Sequence, residues 1–513
     1  MQGISSGLGR VVGIVVMGLG LFGCSTAPRD ARSDIPEVPR EFRAAWVATV
    51  ANIDWPSTKT LSTQEQKDEL IAIFDRAVEL KLNAIVLQVR PAGDALYQPG
   101  LEPWSEWLTG EIGKAPDPYY DPLAFAIEEA HRRGLELHAW FNPYRVLHPT
   151  NKSEPSPDHI AVTHPHLVKE YGKFLWLDPG APEVQAHSLA VMLDVVKRYD
   201  LDGVHMDDYF YPYPIKDDDG NEIEFPDGDS YAAYRKAWGF KSRDDWRRWS
   251  VDTFVRDLYR EVKRIKPHVK VGISPFGIYR PGNPRTIQGF DQYDKLYADA
   301  LKWYRKGWVD YFTPQLYWAI APPPQSFSTL LNWWDQQNPK GRHLWPGLYT
   351  SRMLAENPRG FTPDEIGYQI AWTRLIESSP PGHVHFSMKA LMPKHHEEIG
   401  GPIAAKAYAE PALVPATPWL KGKRPAAPRG TLSRVDDKTL RVTPAPPSLE
   451  NAAGWVTQVK RGEDWEWAYY PSTTPEVVVD PSGLEALVVF TVDRRGVRSP
   501  KAEFVGPTEA ALQ

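Results

Sequence analysis

The sequence of 513 residues is poor in cysteine, in long apolar runs and in excess charge of either sign. Its single cysteine, Cys24, excludes an intrachain disulfide. The net charge of −6, from 59 basic and 65 acidic residues, argues against a nucleic-acid binder, which would usually carry a basic domain or stripe. Beyond the first 23 residues no apolar run is long enough to cross a membrane, so we expect a soluble body.

The chain is rich in aromatic side chains, with 20 Trp and 23 Tyr, while 42% of its residues are hydrophobic and 24% are charged. This composition is globular, and the length allows one large domain and a smaller one. Most of the aromatic rings are expected to pack the core or its rim. Rings at a surface can also stack on sugar rings, so their number leaves a carbohydrate ligand open.

Residues 11–23, VVGIVVMGLGLFG, form a short apolar run typical of the h-region of a signal peptide. The run leads into LFGC, which resembles a bacterial lipobox. The resemblance implies a signal peptide over 1–23, lipidation of Cys24 and a tether over 24–40. Ser25 is similar to outer-membrane sorting signals, so we expect an outer-membrane lipoprotein that faces the periplasm. An ordinary secretory signal with a chance cysteine is the alternative.

After the tether, strand-like and helix-like segments alternate. The eight predicted strands are 42–50, 84–90, 135–144, 201–211, 270–277, 309–318, 343–350 and 383–391. The predicted helices between them are 64–82, 121–134, 183–200, 244–266, 291–306, 326–337 and 363–378. Apolar strands that alternate with helices indicate a parallel sheet covered on both faces. Eight such units predict a (β/α)₈ TIM barrel over residues 41–409, an α/β fold.

The pattern changes after the predicted barrel. Residues 410–428 are rich in proline and are predicted to be a linker. Residues 429–508 contain short strands broken by turn residues, which predicts a small β-sandwich similar to a fibronectin type III module.

In a barrel of this kind the active site lies at the C-terminal ends of the strands. The residues there combine flat aromatic rings, which suit sugar faces, with forked polar groups, which suit hydroxyls. The predicted substrate-binding residues are Arg90, His138, Trp140, Asn142, Tyr144, His205, Tyr209, Gln315, Tyr317 and Trp318. A structural interpretation competes for some: His138 as a core histidine, Arg90 as the partner of an acid, and Asn142 and Gln315 as strand-end hydrogen bonders.

The predicted catalytic residues are Asp207 and Asp208, two adjacent acids where the fourth strand ends. Alternation along a strand directs Asp207 into the barrel mouth, while Asp208 begins the turn. Like charges this close push the two pKa values apart, so one carboxyl is protonated and the other ionised near neutral pH. Glycoside hydrolysis needs such a pair. The structural alternative is two loop acids paired with Arg90 or Arg145.

Seven motifs carry a family resemblance: FRAAWVATVANIDWPS (42–57), LQVRPAGDALY (87–97), HAWFNPYR (138–145), LDPGAPEV (177–184), DGVHMDDYFYPYP (202–214), ISPFGIYRPG (273–282) and TPQLYW (313–318). In this order they resemble the bacterial glycosyl hydrolase-like family ten barrels, which are often lipoproteins. Members similar to this chain act on peptide-stripped, or denuded, peptidoglycan glycan strands. The resemblance implies a glycosidase of the cell envelope whose partner is the glycan strand.

Two mechanisms stay open because the predicted fifth strand, VGISPFG, lacks the glutamate that supplies the acid in α-amylase-type barrels. In the first, Asp207 is the nucleophile or base and a loop acid protonates the leaving oxygen. The loop candidates are Asp54, Asp94, Glu102, Glu106 and Asp178. In the second, Asp207 and Asp208 act together, as in substrate-assisted hexosaminidases. One Asp then orients the substrate's acetamide, and the next Asp along the chain protonates the leaving oxygen.

Three other functions are compatible with the sequence. One is a non-catalytic scaffold that binds glycan at the envelope, and another is a glycosidase for a different envelope or extracellular polysaccharide. The third is a metal-dependent hydrolase that uses His138, His205 and Asp207. The favoured prediction needs no cofactor and no metal, and the sequence does not determine the oligomeric state.

Overall fold

The structure is a computed structural model that describes residues 35–239, 242–321, 324–354, 360–362, 364–436, 438–444 and 452–504. The predicted signal peptide (1–23) and the predicted lipidation site Cys24 lie outside the described residues. Within the part of the chain that the structure describes, no helix combines the length and the apolar character that crossing a membrane requires.

Parallel strands form the centre of the first 400 residues. In chain order the strands there are β1 (Phe42–Val47), β2 (Ala84–Arg90), β3 (Glu136–Phe141), β4 (Arg145–Leu147), β5 (Val168–Tyr171), β6 (Phe174–Leu177), β7 (Gly203–Met206), β8 (Lys270–Ile273), β9 (Tyr311–Phe312), β10 (His343–Leu344), β11 (Gly347–Leu348) and β12 (Gly382–His385). Nine of them make one parallel sheet in the order β10-β9-β8-β7-β3-β2-β1-β12-β11.

This sheet is strongly curled. The strands at the two ends of its order, β10 and β11, are separated along the chain only by Trp345 and Pro346. One side of the segment 343–348 therefore pairs with β9 and its other side with β12. The result is a TIM-barrel-like sheet with an N-terminal edge, here called the base, and a C-terminal edge, here called the mouth.

Helices lie between successive strands of the sheet and after its last strand. In chain order they are α1 (Thr63–Glu79), α2 (Glu106–Thr109), α3 (Pro122–Arg132), α4 (Ile160–Thr163), α5 (Pro182–Arg198), α6 (Gly228–Trp238), α7 (Arg243–Ile265), α8 (Gln292–Lys295), α9 (Ala300–Lys306), α10 (Phe327–Asp335), α11 (Glu365–Thr373), α12 (Met388–Leu391) and α13 (Gly401–Ala407). At the N-termini of several of these helices, a side chain accepts hydrogen bonds from backbone N–H groups of the first turn. Ser62 and Glu65 form a capping box at α1, and Asp121 accepts from two backbone N–H groups at the start of α3.

The paired parts of the last strands are shorter than the sequence pattern predicted. The run 309–318 pairs as a strand only at Tyr311–Phe312, and the run 343–350 is split into β10 and β11. Pro314 follows the first pairing and Pro346 interrupts the second. A proline has no N–H to donate to a ladder, so each one stops regular pairing at its position.

Two further predicted elements differ in the structure. The helix predicted over 291–306 is two short helices, α8 and α9, because Tyr297 between them adopts a left-handed backbone with φ of 53°. The strand predicted over 383–391 ends at His385, and α12 follows it. Lys389, within the predicted strand, therefore lies in a helix.

The C-terminal part of the chain is a set of antiparallel strands: β13 (Gly430–Asp436), β14 (Thr439–Pro444), β15 (Ala452–Arg461), β16 (Asp464–Pro471), β17 (Val477–Val479), β18 (Leu484–Asp493) and β19 (Ala502–Phe504). They form a three-stranded sheet, β13-β14-β17, and a four-stranded sheet, β16-β15-β18-β19. Residues of both sheets, such as Val442 and Trp455, share one apolar core. This is a small all-β module of two antiparallel sheets.

The all-β module contacts the base of the parallel sheet. Arg494, at the end of β18, pairs with Asp200 at 2.7 Å and with Asp202 at 2.8 Å, and both acids precede β7. Trp419, in the preceding connection, donates from Nε1 to Asp310, which precedes β9, at 2.8 Å. The module therefore lies at the end of the sheet opposite the mouth.

Candidate active site

Strand β7 carries two adjacent carboxyl groups to the mouth. Asp207 Oδ2 accepts a hydrogen bond from the indole of Trp140 at 3.1 Å, and its Oδ1 accepts from the backbone N–H of Tyr209 at 3.2 Å. Asp208 Oδ2 accepts from the hydroxyl of Tyr213, and the Gln315 side chain also hydrogen-bonds this carboxyl group. Each Asp is only 5% exposed, so both carboxyl groups are almost completely removed from water.

Burial perturbs the protonation of this pair. Burial and, second to it, the neighbouring Asp208 charge raise the pKa of Asp207 to about 7, while Arg145 opposes the rise. Burial also raises the pKa of Asp208, although hydrogen bonds from Tyr213 and Gln315 hold that increase back. The pair therefore retains a proton near neutral pH, as two close carboxyl groups in an apolar setting should.

Half-buried aromatic rings surround the acid pair. Tyr317 lies close enough to both acids for their charges to raise its pKa further, after burial has raised it most. The other rings of this wall pack in pairs: Tyr317 with Tyr349 (5.0 Å between centroids), Tyr317 with Phe386 (5.8 Å), Phe276 with Trp318 (5.5 Å) and Tyr209 with Tyr213 (5.6 Å). The mouth thus combines carboxyl groups with flat apolar faces.

The structure brings some predicted substrate-binding residues to this mouth and places others in the interior. Trp140, Tyr209, Gln315 and Tyr317 lie around the acid pair, in the contacts given above, and Trp318 packs on Phe276 in the aromatic wall. Arg90, Asn142 and Tyr144 are fully buried. Arg90 makes a two-pronged ion pair with Glu102 at 2.5 and 2.6 Å and also donates to the Asn142 carbonyl.

Asn142 and Tyr144 contact protein groups in the same interior region. The Oδ1 of Asn142 accepts from the backbone N–H of Arg145 at 3.0 Å, which shapes the turn after β3. The ring of Tyr144 packs on Phe254 of α7, 5.4 Å away. These contacts are the structural roles that compete with substrate binding at both positions.

The two predicted histidines belong to a hydrogen-bonded chain inside the barrel-like sheet. The hydroxyl of Tyr311 is 2.8 Å from His138 Nδ1 and 3.0 Å from His205 Nδ1. At the mouth end, Trp46 Nε1 donates to His205 Nε2 at 3.2 Å, so Nε2 carries the lone pair and Nδ1 carries the proton. Burial also lowers the pKa of His205 well below its usual range. His205 is therefore a neutral side chain that holds the Trp46 ring in place.

Four of the five loop acids are committed to contacts within the protein. Burial by itself would raise the pKa of Glu102, but Arg90 and His187 outweigh that effect and lower this pKa to about 2. Glu106 accepts from Lys59, Asn151 and the backbone of 152–153. Asp178 accepts from Ser230 at 2.6 Å and Asp94 from the backbone N–H of Ala92 at 3.0 Å. These acids brace the long loops above β2 and β3.

The fifth loop acid, Asp54, is half-buried, and burial raises its pKa to about 6. The hydroxyl of Ser387 donates to it at 2.6 Å, and the backbone N–H of Lys389 donates at 2.8 Å. Asp54 therefore links the ends of β1 and β12. Its position is three strands away from β7 in the sheet order.

Two other features bear on where chemistry takes place. Among the described residues, no group of three or more His, Cys, Asp or Glu side chains is arranged to hold a metal ion. A cavity of about 510 Å³ lies between the base and the all-β module, with Glu136, Trp467 and Tyr469 among its lining residues. None of the predicted site residues lines that cavity. We therefore place the candidate site at the mouth, on the buried acid pair.

A buried carboxyl pair, aromatic walls and a TIM-barrel-like parallel sheet define a class of protein, the glycosidases. Residues 41–359 match the family described as glycosyl hydrolase-like 10. The chain is 43% identical over 401 residues to glycosyl hydrolase YngK of Bacillus subtilis, covering 76% of each protein. It is 33% identical over 368 residues to glycosyl hydrolase DigH of Escherichia coli K12, covering 65% of this chain and 81% of the relative.

Solved structures with a similar course of the chain include two bacterial glycosidase domains. The catalytic domain of a β-amylase from Paenibacillus polymyxa aligns with a TM-score of 0.48 and 13% identity, covering 73% of this chain and 99% of that domain. The glycoside hydrolase domain of PgaB from Bordetella bronchiseptica aligns with a TM-score of 0.47 and 13% identity, covering 72% and 98%.

The family match and the sequence relatives decide the assignment. This chain belongs to the glycosyl hydrolase-like 10 family. Its predicted enzyme class, a glycosidase, is confirmed.

Proposed function

We propose that this glycosidase hydrolyses peptidoglycan glycan strands at the cell envelope and prefers strands that carry no peptides. The observation that carries the proposal is the buried pair Asp207 and Asp208, which retains a proton near neutral pH beneath a wall of aromatic rings. Such a pair supplies an acid and an ionised carboxylate at the same pH. The substrate class is the one that the motif resemblance implies.

The hydrogen bonds around the pair suggest a role for each acid. Tyr213 and Gln315 donate to Asp208, which favours its ionised form, so the retained proton belongs mainly to Asp207. In the proposed reaction the substrate's acetamide oxygen attacks the anomeric carbon while Asp207 protonates the leaving oxygen. Ionised Asp208 accepts the acetamide N–H and stabilises the oxazolinium ring that forms. Water then opens this ring, and Asp207 takes up the proton that the water loses.

The contacts of the loop acids favour this substrate-assisted route over a second catalytic carboxylate. Glu102 and Glu106 have their oxygens engaged by arginine, lysine, amide and backbone donors. Asp54 braces β1 against β12 rather than lying beside β7. An acetamide on the substrate removes the need for a protein nucleophile, and peptidoglycan sugars carry that group.

We further propose that the curled sheet is a complete (β/α)₈ barrel whose seventh strand is the segment 343–348. The all-β module is proposed to be fibronectin type III-like, since its sheets of three and four strands give the seven strands of such a sandwich. Lipidation of Cys24 and an outer-membrane location facing the periplasm remain proposals.

The proposal is tested by incubating the protein with purified, peptide-free glycan strands and measuring new reducing ends. We expect cleavage by the wild type and a loss of cleavage in Asp207→Asn and Asp208→Asn. Binding of the strands without any cleavage would instead support the non-catalytic scaffold. Turnover that survives both substitutions would show that the acid pair is not the catalytic site. Cleavage of a different envelope polysaccharide, with no action on these strands, would change the substrate.

A further inference from the structure

Arg145, a buried arginine beside the acid pair, has no carboxylate partner among the described residues. Every other buried arginine of the described residues has one. The five paired ones are Arg43 with Glu41, Arg76 with Glu79, Arg90 with Glu102, Arg247 with Asp227 and Arg495 with Asp493. Arg145 is only 3% exposed, and no described carboxylate lies at ion-pair distance from it. A buried charge without a counterion is unfavourable, so the site is set up for an anion that arrives with a ligand.

The guanidinium of Arg145 is held in place by neutral groups. Its Cζ lies 4.4 Å from the centre of the Tyr209 ring, and Nη1 donates to the carbonyl of Pro91 at 3.1 Å. Its Nε–H is buried and has no hydrogen-bond partner among the described residues. An arginine fixed in this way keeps a donor free in the fork geometry that matches a carboxylate.

This cation lies next to the catalytic pair. Its charge lowers the pKa values of both Asp207 and Asp208, against the larger effect of burial. Tyr209, which stacks on the guanidinium, directly follows Asp208 and is half-buried at the mouth. An anionic group of a sugar bound at the acid pair would therefore be within reach of Arg145.

The proposed substrate contains such an anion only when its peptides are absent. Muramic acid carries a lactyl ether, and the peptide ties up the lactyl carboxyl group as an amide. Removal of the peptide leaves a free carboxylate on the sugar. A site that offers one buried cation therefore distinguishes peptide-free strands from substituted ones.

We propose that Arg145 binds the free lactyl carboxylate of a muramic acid residue and thereby makes the enzyme select peptide-free strands. This inference rests on the proposed function, because it concerns the specificity of the same site. A neutral amide cannot replace the carboxylate, because it forfeits the charge-assisted hydrogen bond and leaves the cation unpaired.

The test compares two soluble glycan substrates: peptide-free strands, and the same strands with the lactyl carboxyl converted to a methylamide. For the wild type we expect kcat/KM to be roughly 10- to 100-fold higher on the carboxylate form. Arg145→Gln should remove this preference, and Arg145→Lys should recover part of it. Arg248→Gln is the matched control, because Arg248 also stacks on a tyrosine ring, at 4.3 Å from Tyr293, but pairs with Asp245 and Asp294.

Two results would overturn the inference: a wild type that cleaves both forms equally, or an Arg145→Gln variant that loses the same fraction of kcat/KM on both. The second result would mean that Arg145 acts on the acid pair rather than on the substrate carboxylate. The binding affinity of the wild type for the two polymers is measured in parallel. If the wild type cleaves neither polymer but binds the carboxylate form more tightly, the proposed function is refuted and the inference is supported. Equal binding of the two polymers, or no binding of either, would refute the inference.

Discussion

The two ends of the barrel-like sheet differ in whether the charges buried there have ion-pair partners. At the base, Lys270 pairs with Glu136 at 2.7 Å, Lys263 pairs with Asp310, and Arg494 pairs with Asp200 and Asp202. At the mouth, two acids stand side by side and Arg145 has no carboxylate partner. Each of these buried charges at the base thus has its counterion in the same chain, whereas Asp207, Asp208 and Arg145 at the mouth have no ion-pair partner among the described residues.

This difference separates stability from function. Paired charges at the base join the strand starts to one another and to the all-β module, so removing one partner should cost stability. The arrangement at the mouth is unfavourable for the free protein but supplies a proton, a carboxylate and a cation where a sugar would bind. Strain of this electrostatic kind is typical of active sites. Substitutions at the two ends should therefore have different consequences.

The largest expected effect is on catalysis at the mouth. Asp207→Asn and Asp208→Asn should each lower the rate of strand hydrolysis about 100- to 10,000-fold, because each removes a proton-transfer or charge-stabilising group. An aryl glycoside of N-acetylglucosamine with an activated leaving group needs no protonation, so Asp207→Asn should keep far more activity on it than Asp208→Asn.

Asp218→Asn, in the exposed loop after β7, is the control for this prediction and should retain full activity. If Asp208→Asn rather than Asp207→Asn keeps its activity on the activated glycoside, the assigned roles of the two acids are exchanged.

The next effects are on stability, and the first of them is expected at the base. Lys270→Met removes the cation from its pair with Glu136, and we expect the free energy of unfolding to fall by about 3 kcal/mol. Denaturant unfolding followed by tryptophan fluorescence measures the change. The matched control is Lys295→Met at the exposed pair with Glu222, where less than about 1 kcal/mol should be lost. A base variant that is fully stable would remove the contrast between the two ends.

Asp207→Asn should raise the free energy of unfolding, whereas Lys270→Met should lower it. The folded-state pKa of Asp207, about 7, lies above its unfolded value, so folding is favoured most at low pH, and that advantage is lost as the pH rises towards 7. Asparagine does not ionise, and the variant should therefore gain stability between about pH 4 and pH 7. We expect a gain on the order of 4 kcal/mol at pH 7 and less than about 1 kcal/mol at pH 4. A variant less stable than the wild type at pH 7 would contradict the raised pKa.

The smallest effect concerns the hydroxyl that donates to Asp208. Tyr213→Phe removes a hydrogen bond that favours the ionised acid, so the pKa of Asp208 should rise. The acidic limb of the kcat/KM profile should move up by about 0.5–1 pH unit, with the basic limb little changed. Tyr234→Phe, on α6, should leave both limbs in place, and an unshifted acidic limb in Tyr213→Phe would count against an ionised Asp208.

The sequence predicted the alternation of strands and helices and the position of the acid pair because both depend on local patterns. Apolar runs are visible along the chain, and Asp207 and Asp208 follow one directly. The sequence also contains Pro314 and Pro346 within these runs, and prolines at these positions indicate that the last strands pair over only a few residues. The three-stranded sheet β4-β6-β5 in the long loop after β3 gave a weaker signal, since its strands have only three or four residues.

The rest of the site depends on contacts between residues far apart in sequence. His138 and His205 meet through Tyr311, and Trp46 joins them from the first strand. No local pattern relates these four positions. The same holds for Arg145. Whether a buried arginine has a carboxylate partner depends on tertiary contacts, which the sequence does not show.

The proposed mechanism requires the carboxyl pair at the mouth to hold one catalytic proton near neutral pH. The most direct test is the pH dependence of kcat/KM for wild-type hydrolysis of peptide-free strands, which reports the essential groups of the free enzyme. We expect a bell-shaped profile whose activity falls above a pH of about 7, as Asp207 loses its proton. A rate that stays constant from pH 6 to about 9 would contradict it, because no acid of this pKa would then take part.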